Sequence, residues 1–581
     1  MMHEKHRILA FDIEDAKKIS KHLKNKKKEI LAITPNAFEI LKNDKFENII
    51  APHEINKNIH EELAEDNIKF REKLNKILSI ESNNNFCNES FKNMIAQCFS
   101  TLNFFLKFLK KDVLYYSFLN NKFELSSREE VYNKLLNLII LRKYGIFKII
   151  NNNNFKLFYF KKTINDILFF FLKKRKIILN FLGNKKKLSF SNNLLEITFE
   201  NIPKSKWANY YLIGKNFIKF FFKNNVKTIY PEINYKEDLE FKKKIDHFLS
   251  LLDFDAFNVK NEKFINFIYE VILYENEMQK FLYKRLNNLS LKYFITDHLS
   301  WMNTSCLGSF FYKKNLPVFL SSHGNIDLIS DNNYEKNELL SHANGLCYSK
   351  YASNVIAQTP SAFEISKKFL EQNNFNIIKS HPIAYYGQRP EKKIENNKIN
   401  ILFAGTYKVF LSRPYIYQGS FEFMNTIKKL LIIFRSLKNV NLVFNIRTND
   451  EIDNLFLKKL VKKDLNIKMI FNGNIEALMQ NSQLLITNFS TLLDEYSYLN
   501  RPIVMINDHL KFECYKHFYS NQNENDSLKP IYYLNSEECN KEIINILQKI
   551  RKNVKINKPK HIWNNDEAMN KETLIKKINE L

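Results

Sequence analysis

An α/β protein of two doubly wound parallel-sheet domains is what the sequence predicts. Short apolar runs alternate with amphipathic stretches near the amino terminus and again from residue 291 onward, the pattern of strands joined by crossover helices. Glycine is sparse, ten in 581 residues, with none before Gly145 and seven from Gly308 on. Tight turns and close backbone approaches therefore concentrate in the second half. The segment Leu484–Asp508, LLITNFSTLLDEYSYLNRPIVMIND, reads as strand, polar turn, short helix and second strand. At 581 residues the chain exceeds one ordinary core, so two or more domains are expected.

The elements follow in order. Residues 7–11 (RILAF) and 29–33 (EILAI) read as strands around a helix over about 12–23, with a third strand over 46–51, a Rossmann-type βαβ opening. Asp12 with Asp15 three residues on is a helix N-cap pattern. From about 54 to 287 the chain turns helical in pattern and rich in Phe, Lys and Asn, which predicts a large helical insertion in the first domain. Strands return at 291–296 and 317–320 around a helix near 300–312, and at 355–358 and 377–378 around an amphipathic 362–370. The polar stretch 396–400 reads as a linker. Beyond it come strands at 401–404, 441–446 and 467–471 with helices at 422–437, 451–463 and 475–480. The domains expected are thus 1–395, 396–545 and a helical, basic tail over 546–581. No internal repeat is evident by eye.

Charge and thiol usage bound the function classes. Lys and Arg number 89 against 62 Asp and Glu, a formal +27, which draws the chain to phosphate groups, nucleic acid or an acidic membrane face. Lys, Asn, Ile and Phe are abundant together, as an AT-rich genome imposes, so part of that charge needs no partner. The six cysteines show no CxxC or CxxH spacing, which argues against zinc and for reduced thiols in the cytoplasm. Asp253-Phe254-Asp255 has the spacing of a metal-binding acid pair but sits in a helical pattern, and no metal site is assigned. The greasiest run, 167–172, is closed by four basic residues and is far shorter than the roughly 20 residues that span a bilayer. Basic and aromatic stretches between about 100 and 225 suit the inner face of an anionic membrane. No nucleic-acid-binding motif accompanies them, and no nucleic acid partner is expected.

Several side chains then stand where chemistry is done. Thr487, Asn488, Ser490 and Thr491 bring hydroxyl and amide groups to a predicted helix start, where free N–H groups favour an anion; ordinary N-capping explains Ser and Thr equally well. Glu495, four residues after Thr491, shares its helical face and can accept from ribose hydroxyls. Together they sketch a nucleotide diphosphate pocket. Gly405-Thr406 follows a strand, Arg413 lies on the same loop, and Arg447 ends the next strand, where a guanidinium suits phosphate. In the first domain His323, in SSHGN, projects after a strand at the edge where α/β sheets bind ligands, with a pKa range suited to taking a proton from a hydroxyl. Asp297 ends the preceding strand and can orient that imidazole, serve as base itself, or cap the following helix.

The 484–508 stretch resembles the donor-binding motif of GT-B glycosyltransferases and UDP-N-acetylglucosamine 2-epimerases, and most closely that of CDP-glycerol glycerophosphotransferase-like enzymes of surface-polymer synthesis. The resemblance implies a GT-B-like fold, two Rossmann-type domains facing a cleft, in which Ser490 or Thr491 meets the donor phosphates and Glu495 the ribose. An HG pair such as His323-Gly324 recurs in these families after a first-domain strand. Gly405-Thr406 resembles their first donor-side loop, and Phe471-Asn472-Gly473-Asn474 the turn before the helix that covers the base. Where this chain has Arg447-Thr448 the glycerophosphotransferase-like pattern usually places His-Pro, a departure that favours a sugar donor. The expected activity is a metal-independent glycosyltransferase without a cofactor, moving a sugar from a nucleotide-activated donor to a glycan or lipid-linked acceptor at the inner face of the cell membrane. A nucleotide-sugar 2-epimerase-like or glycerophosphotransferase-like enzyme is the alternative, and a non-catalytic basic scaffold the alternative of another class.

Overall fold

The computed structural model describes residues 7–51 save 11–12, 59–80, scattered positions between 95 and 287 that include 115–119, 122–126 and 210–212, and 293–580 save 301, 323–332, 383–397, 406–418, 448–451, 489, 491, 507–513, 520–526 and 565. These residues form a mixed α/β architecture with three sheets in which parallel pairing dominates.

The first sheet holds β1 (Arg7–Ala10), β2 (Ile30–Ala32), β3 (Ile49–Ile50), β4 (Tyr115–Leu119) and β5 (Lys122–Ser126), in the order β3-β2-β1-β4-β5. Helix α1 (Ile13–His22) joins β1 to β2, α2 (Pro35–Asn43) joins β2 to β3, and α3 (Ile59–Ile80) follows. Strand β4 runs parallel to β1, and β5 returns antiparallel as an edge. Ile8, Ala10, Ala16, Ile19, Ile30, Ala32, Ala37 and Leu41 form its small core.

The second sheet runs β10-β9-β8-β7-β6, with β6 (Tyr210–Leu212), β7 (Phe294–Thr296), β8 (Val318–Ser321), β9 (Asn354–Ala357) and β10 (Asn376–Lys379). Its helices are α4 (Met302–Lys313), α5 (Asn333–Ala343), α6 (Pro360–Lys368) and the single turn α7 (Leu370–Asn373). Strands β7 to β10 are parallel and β6 is an antiparallel edge. All of β7, β8 and β9 is buried, as expected of strands covered by helices on both faces.

The third sheet is wholly parallel and runs β13-β12-β11-β14-β15-β16. Its strands are β11 (Ile399–Gly405), β12 (Val440–Ile446), β13 (Ile467–Phe471), β14 (Leu484–Thr487), β15 (Ile503–Ile506) and β16 (Ile531–Leu534), and its helices α8 (Ser420–Arg435), α9 (Asn454–Leu460), α10 (Ile475–Gln480), α11 (Leu492–Ser497) and α12 (Ser536–Arg551). The winding starts at β11, proceeds to β13, then reverses to β14 on the other side of β11. One hydrophobic cluster joins Phe403, Phe444, Leu484 and Val504 to Phe423 and Ile427 of α8 and to Ile543, Ile546 and Leu547 of α12.

Two expectations change. Residues 1–395 do not share one sheet: β1 to β3 pair with the 115–126 hairpin, and β7 to β10 make a separate layer. The hairpin lies inside the stretch read as helical insertion, where dense Phe, Lys and Asn give no clear strand signal; its register pairs Leu119 with Lys122. The tail boundary also moves, because α12 belongs to the third core and 545 falls within it. Beyond α12 the chain is extended before a last helix, α13 (Lys571–Glu580). That extended piece crosses to the second sheet: Trp563 Nε1 donates to Ala357 O at 3.1 Å, Met569 N donates to Lys379 O at 3.0 Å and His381 N to Met569 O at 3.2 Å. The Asp253–Asp255 pair and most of the basic, aromatic 100–225 stretch lie outside the described residues. Among those described, no helix is long and apolar enough to cross a membrane.

Gly345 shows where a side chain has no room. Its φ is +79°, and a Cβ there would lie 2.5 Å from Ser300 N, on the turn after β7 whose Leu299 N donates to Gly345 O at 2.7 Å. Gly345→Ala should lower stability by about 1–3 kcal/mol, the cost of a strained backbone position. A variant that melts with the wild type in thermal unfolding would refute this account.

Candidate functional site

In an open parallel sheet, ligands bind beyond the carboxyl ends of the strands where the winding reverses. In the third sheet that point lies between β11 and β14, whose pairing sets Phe403 beside Ile486. Thr487 Oγ1 donates to Ala404 O at 2.6 Å, tying the two strand ends together and placing Gly405 and Asn488 side by side at the edge. A Cβ on Gly405 would lie 2.8 Å from the Phe423 ring and 3.0 Å from that of Phe403. Glycine therefore lets the first turn of α8 close directly over the end of β11. The turn is squared off by Glu422, whose carboxylate accepts from Gly419 N at 2.7 Å.

Asn488 is 6% exposed, and among the described residues neither atom of its carboxamide has a hydrogen-bond partner. Ser420, at the first position of α8 and 1% exposed, has a hydroxyl in the same condition. A buried polar group left unmatched costs about 1–3 kcal/mol, so both groups are candidates for completion by a polar ligand. Ser490 is half-buried, and its hydroxyl accepts from Leu492 N at 3.3 Å. That is the capping role weighed from the sequence; its own proton remains to be donated. Helix α11 has only six residues, so its dipole is a small contribution. Glu495, on α11, is 2% exposed. Arg447 stands exposed at the end of β12. Thr406, Arg413 and Thr491 lie outside the described residues.

The Phe471–Asn474 turn has its own logic. Asn472 adopts φ +50° and donates its N–H to Ile446 O at 3.1 Å. Gly473 N donates to Asn445 Oδ1 at 3.0 Å, and Asn474 Oδ1 caps α10 by accepting from Ala477 N at 3.3 Å. Gly473 has no space for a side chain, since a Cβ would fall 2.7 Å from Ile470 Cγ2.

On the second sheet, β7, β8 and β9 end at Asp297, Ser322 and Gln358. His323 lies outside the described residues, but its neighbour is fixed: Ser322 Oγ accepts from Gln358 N at 2.9 Å, and the Gln358 carboxamide donates back to Ser322 O. Asp297 is 6% exposed, and burial holds its carboxyl well above the usual range, offset in part by its own backbone N–H. Ionising it costs folding energy, a penalty that grows as pH rises above the ordinary carboxylate range. A carboxyl so placed resists ionisation, which suits proton transfer better than it suits a capping carboxylate. His381 sits at the junction, its Nδ1 3.4 Å from Tyr498 Oη beyond α11.

Sequence reasoning missed the cluster behind α11. His561, wholly buried, has Nε2 2.8 Å from Ser497 Oγ and Nδ1 2.5 Å from Tyr519 Oη, with its ring stacked on Tyr515 at 4.8 Å. Tyr515 Oη donates to Asp494 Oδ1 at 2.8 Å, and Ser497 Oγ donates to Leu493 O at 2.7 Å. A neutral imidazole fits: Tyr519 donates to Nδ1 and Nε2–H donates to Ser497. Burial pushes the ring's pKa down to about 3. The extended tail thus fixes the helix that carries Glu495. A lone His in a basic tail carries no sequence signal of this.

The sheets define an α/β protein whose third unit has the winding of a mononucleotide-binding fold. Residues 387–567 match the model of the CDP-Glycerol:Poly(glycerophosphate) glycerophosphotransferase family. No curated protein matches the chain at a significant level. Among solved structures, the chain is similar to UDP-GlcNAc 2-epimerase from Neisseria meningitidis bound to UDP-GlcNAc, with 11% identity and a TM-score of 0.37 over 58% of this chain and 90% of that one. It is also similar to S. aureus MnaA with UDP, with 11% identity and a TM-score of 0.33 over 48% and 70%. The wall teichoic acid polymerase TagF shows 11% identity and a TM-score of 0.29 over 52% and 84%.

The buried imidazole sets a pH dependence. Its folded pKa lies below the unfolded value of about 6.5, so its stabilising contribution is full above pH 6.5 and is lost as pH falls toward 3, with a slope of up to about 1.4 kcal/mol per pH unit. His561→Gln should flatten that acid limb in denaturant titrations at stepped pH. An unchanged limb would place the charge elsewhere.

Proposed function

We propose that the chain is a glycosyltransferase-like enzyme that moves a sugar from a nucleotide-activated donor to a hydroxyl of a surface-glycan acceptor. The observation that carries this reading is the Asn488 carboxamide, buried and unmatched at the β11–β14 reversal, inside the segment matched by the glycerophosphotransferase family model. Asn488, Ser490 and Glu495, with Gly405, Thr406, Arg413, Arg447 and Thr491 around them, would hold the nucleoside diphosphate. Backbone N–H groups and guanidinium groups there would offset the charge that develops as the diphosphate leaves, with no metal assigned. The acceptor proton would pass to His323, or to Asp297, whose raised affinity for a proton suits either that step or the orienting of an imidazole. The acceptor is a glycan or lipid-linked chain, and peripheral contact with an anionic membrane at the cytoplasmic face belongs to the same proposal.

The family match favours one second reading, transfer of glycerol phosphate from a cytidine diphosphate donor. Arg447-Thr448 in place of His-Pro is the feature that speaks for a sugar. Turnover of CDP-glycerol against a panel of nucleotide sugars separates the two, and consumption of a nucleotide sugar with no acceptor present would instead mark an epimerase.

Two results are expected. CDP or UDP at millimolar concentration should raise the melting midpoint, and Asn488→Ala or Glu495→Ala should weaken binding by about 1–3 kcal/mol, the range for a lost charged or buried hydrogen bond; no stabilisation by any nucleoside diphosphate ends the donor-site reading. His323→Ala should lower turnover by about 10²- to 10⁴-fold, the contribution of a positioned general base, with nucleotide affinity nearly unchanged. A larger loss in Asp297→Asn would assign the base to Asp297, and near-normal turnover in both variants would remove the mechanism.

A further inference from the structure

The second strand of the first sheet and the third parallel strand of the second carry the same sequence. Residues 30–42 read ILAITPNAFEILK and residues 355–367 read VIAQTPSAFEISK, with Ala, Thr, Pro, Ala, Phe, Glu, Ile and Lys recurring at eight of thirteen positions. The repeat escapes a reading of the whole chain because it is thirteen residues long and its copies lie more than three hundred apart. Both copies fold alike. Thr34 Oγ1 accepts from Ala37 N at 3.4 Å, Thr359 Oγ1 from Ala362 N at 3.1 Å, each with Pro at the start of the helix and a fully buried Ala after the turn.

The surrounding sheets correspond as well. The orders β3-β2-β1-β4-β5 and β10-β9-β8-β7-β6 match strand for strand, four parallel strands and one antiparallel edge, with the repeat second in each. Chain order differs: the edge pair follows the three-strand unit in the first sheet, parallel strand before antiparallel, and precedes it in the second, antiparallel strand before parallel. The likeness is therefore one of strand layout and of the βα turn, with no circular permutation relating the two sheets.

The two copies use the same ring to dock. Phe363 meets Trp563 of the crossing tail edge-on at 6.0 Å, and Phe38 meets Phe421 of α8 edge-on at 5.9 Å. Polar positions of the first copy then make contacts with the third unit. Asn36 Oδ1 accepts from Asp453 N at 2.8 Å, and Asp453 in turn caps α9 by accepting from Leu455 N at 2.9 Å. Glu39 pairs with Lys428 of α8 at 2.5 Å. These contacts land on the two segments that follow β11 and β12, the segments bearing Ser420 and Arg447.

We propose that the amino-terminal sheet is a docking arm whose βα turn, shared in sequence with that of the middle unit, holds α8 and the start of α9, and that Asn36 is a positioning residue for nucleotide binding. This rests on the reading that the third sheet's edge binds a nucleoside diphosphate. Asn36 touches no reacting atom; it acts through Asp453, which caps α9.

The test uses the full chain, with Asn36→Ala and, as a second variant that leaves the turn intact, Glu39→Gln. Amide hydrogen exchange over 447–460 should quicken in Asn36→Ala while 355–367 stays as in the wild type. Calorimetric CDP affinity should fall about two- to tenfold, the equivalent of one lost hydrogen bond. Ser361→Ala, at the corresponding place in the other copy, should leave exchange over 447–460 unchanged. Unchanged exchange over 447–460 in both Asn36→Ala and Glu39→Gln overturns the docking arm. Quickened exchange with unaltered CDP affinity overturns the positioning role. A wild type that binds neither CDP nor UDP defeats the donor reading instead, and the exchange arm then decides the docking alone.

Discussion

The reversal of winding between β11 and β14 is the constraint on which the candidate site depends. Parallel strands added in one direction from β11 and then in the other leave two adjacent strand ends whose following loops diverge to opposite faces, and the opening between them is a crevice. Three small devices hold it. Thr487 ties β14 to β11, Gly405 admits α8 to the end of β11, and Asn445 accepts from Gly473 to fix the turn after β13. None of these atoms needs to meet a ligand. They set where Asn488 and Ser420 sit, and among the described residues those two carry buried polar atoms without a hydrogen-bond partner.

The tail is the second determinant, because it joins two units through polar contacts in a dry setting. Burial keeps His561 neutral further into acid than a free imidazole, and its two ring nitrogens match a donor on one side and an acceptor on the other. Such a network is worth having only when every member is satisfied. One side of the network is α11 with Asp494, Ser497 and, next to them, Glu495; the same stretch of chain delivers Trp563 to β9 and Met569 to β10. Displacing the tail would therefore disturb α11 and the carboxyl ends of β9 and β10 together.

Much of the third unit was legible from the residues. Strand 467–471 and helix 475–480 have the bounds the pattern predicts, since Asn472-Gly473-Asn474 punctuates them with one left-handed residue and one cap. The 484–508 segment was legible for the same reason, its apolar runs being buried on both faces. The amino-terminal half was read less well. A pattern of strand and helix says nothing about which strands pair, so β1 to β3 and β7 to β10 looked like one sheet. The 115–126 hairpin that completes the first sheet is submerged in aromatic and basic composition. At the candidate site, Asn488 and Glu495, which the motif singled out, are both buried, and Ser490 accepts from Leu492 N as a cap. His561 could not be found: its chemistry comes from Tyr515, Tyr519 and Ser497, residues brought to it only by the fold.

The duplicated turn shows how one local sequence serves two structural tasks. Thr-Pro at the strand end is a rigid solution to starting a helix, as Pro fixes φ and Thr supplies the missing acceptor. It commits nothing about what the helix faces. The Phe four residues after Thr is the apolar anchor in both copies, and the position two residues after Thr decides the partner. Asn36 reaches a backbone N–H of another unit, where the other copy has the shorter side chain of Ser361. Glu39 pairs with a lysine on α8, while the equivalent Glu364 is exposed. Apolar anchoring is thus shared and polar matching has diverged, the division expected when burial supplies affinity and hydrogen bonds supply register. On that logic the first copy is tuned to the third unit in particular, and a swap of the 30–42 and 355–367 turns would keep both helices and lose the fit of the loops that follow β11 and β12.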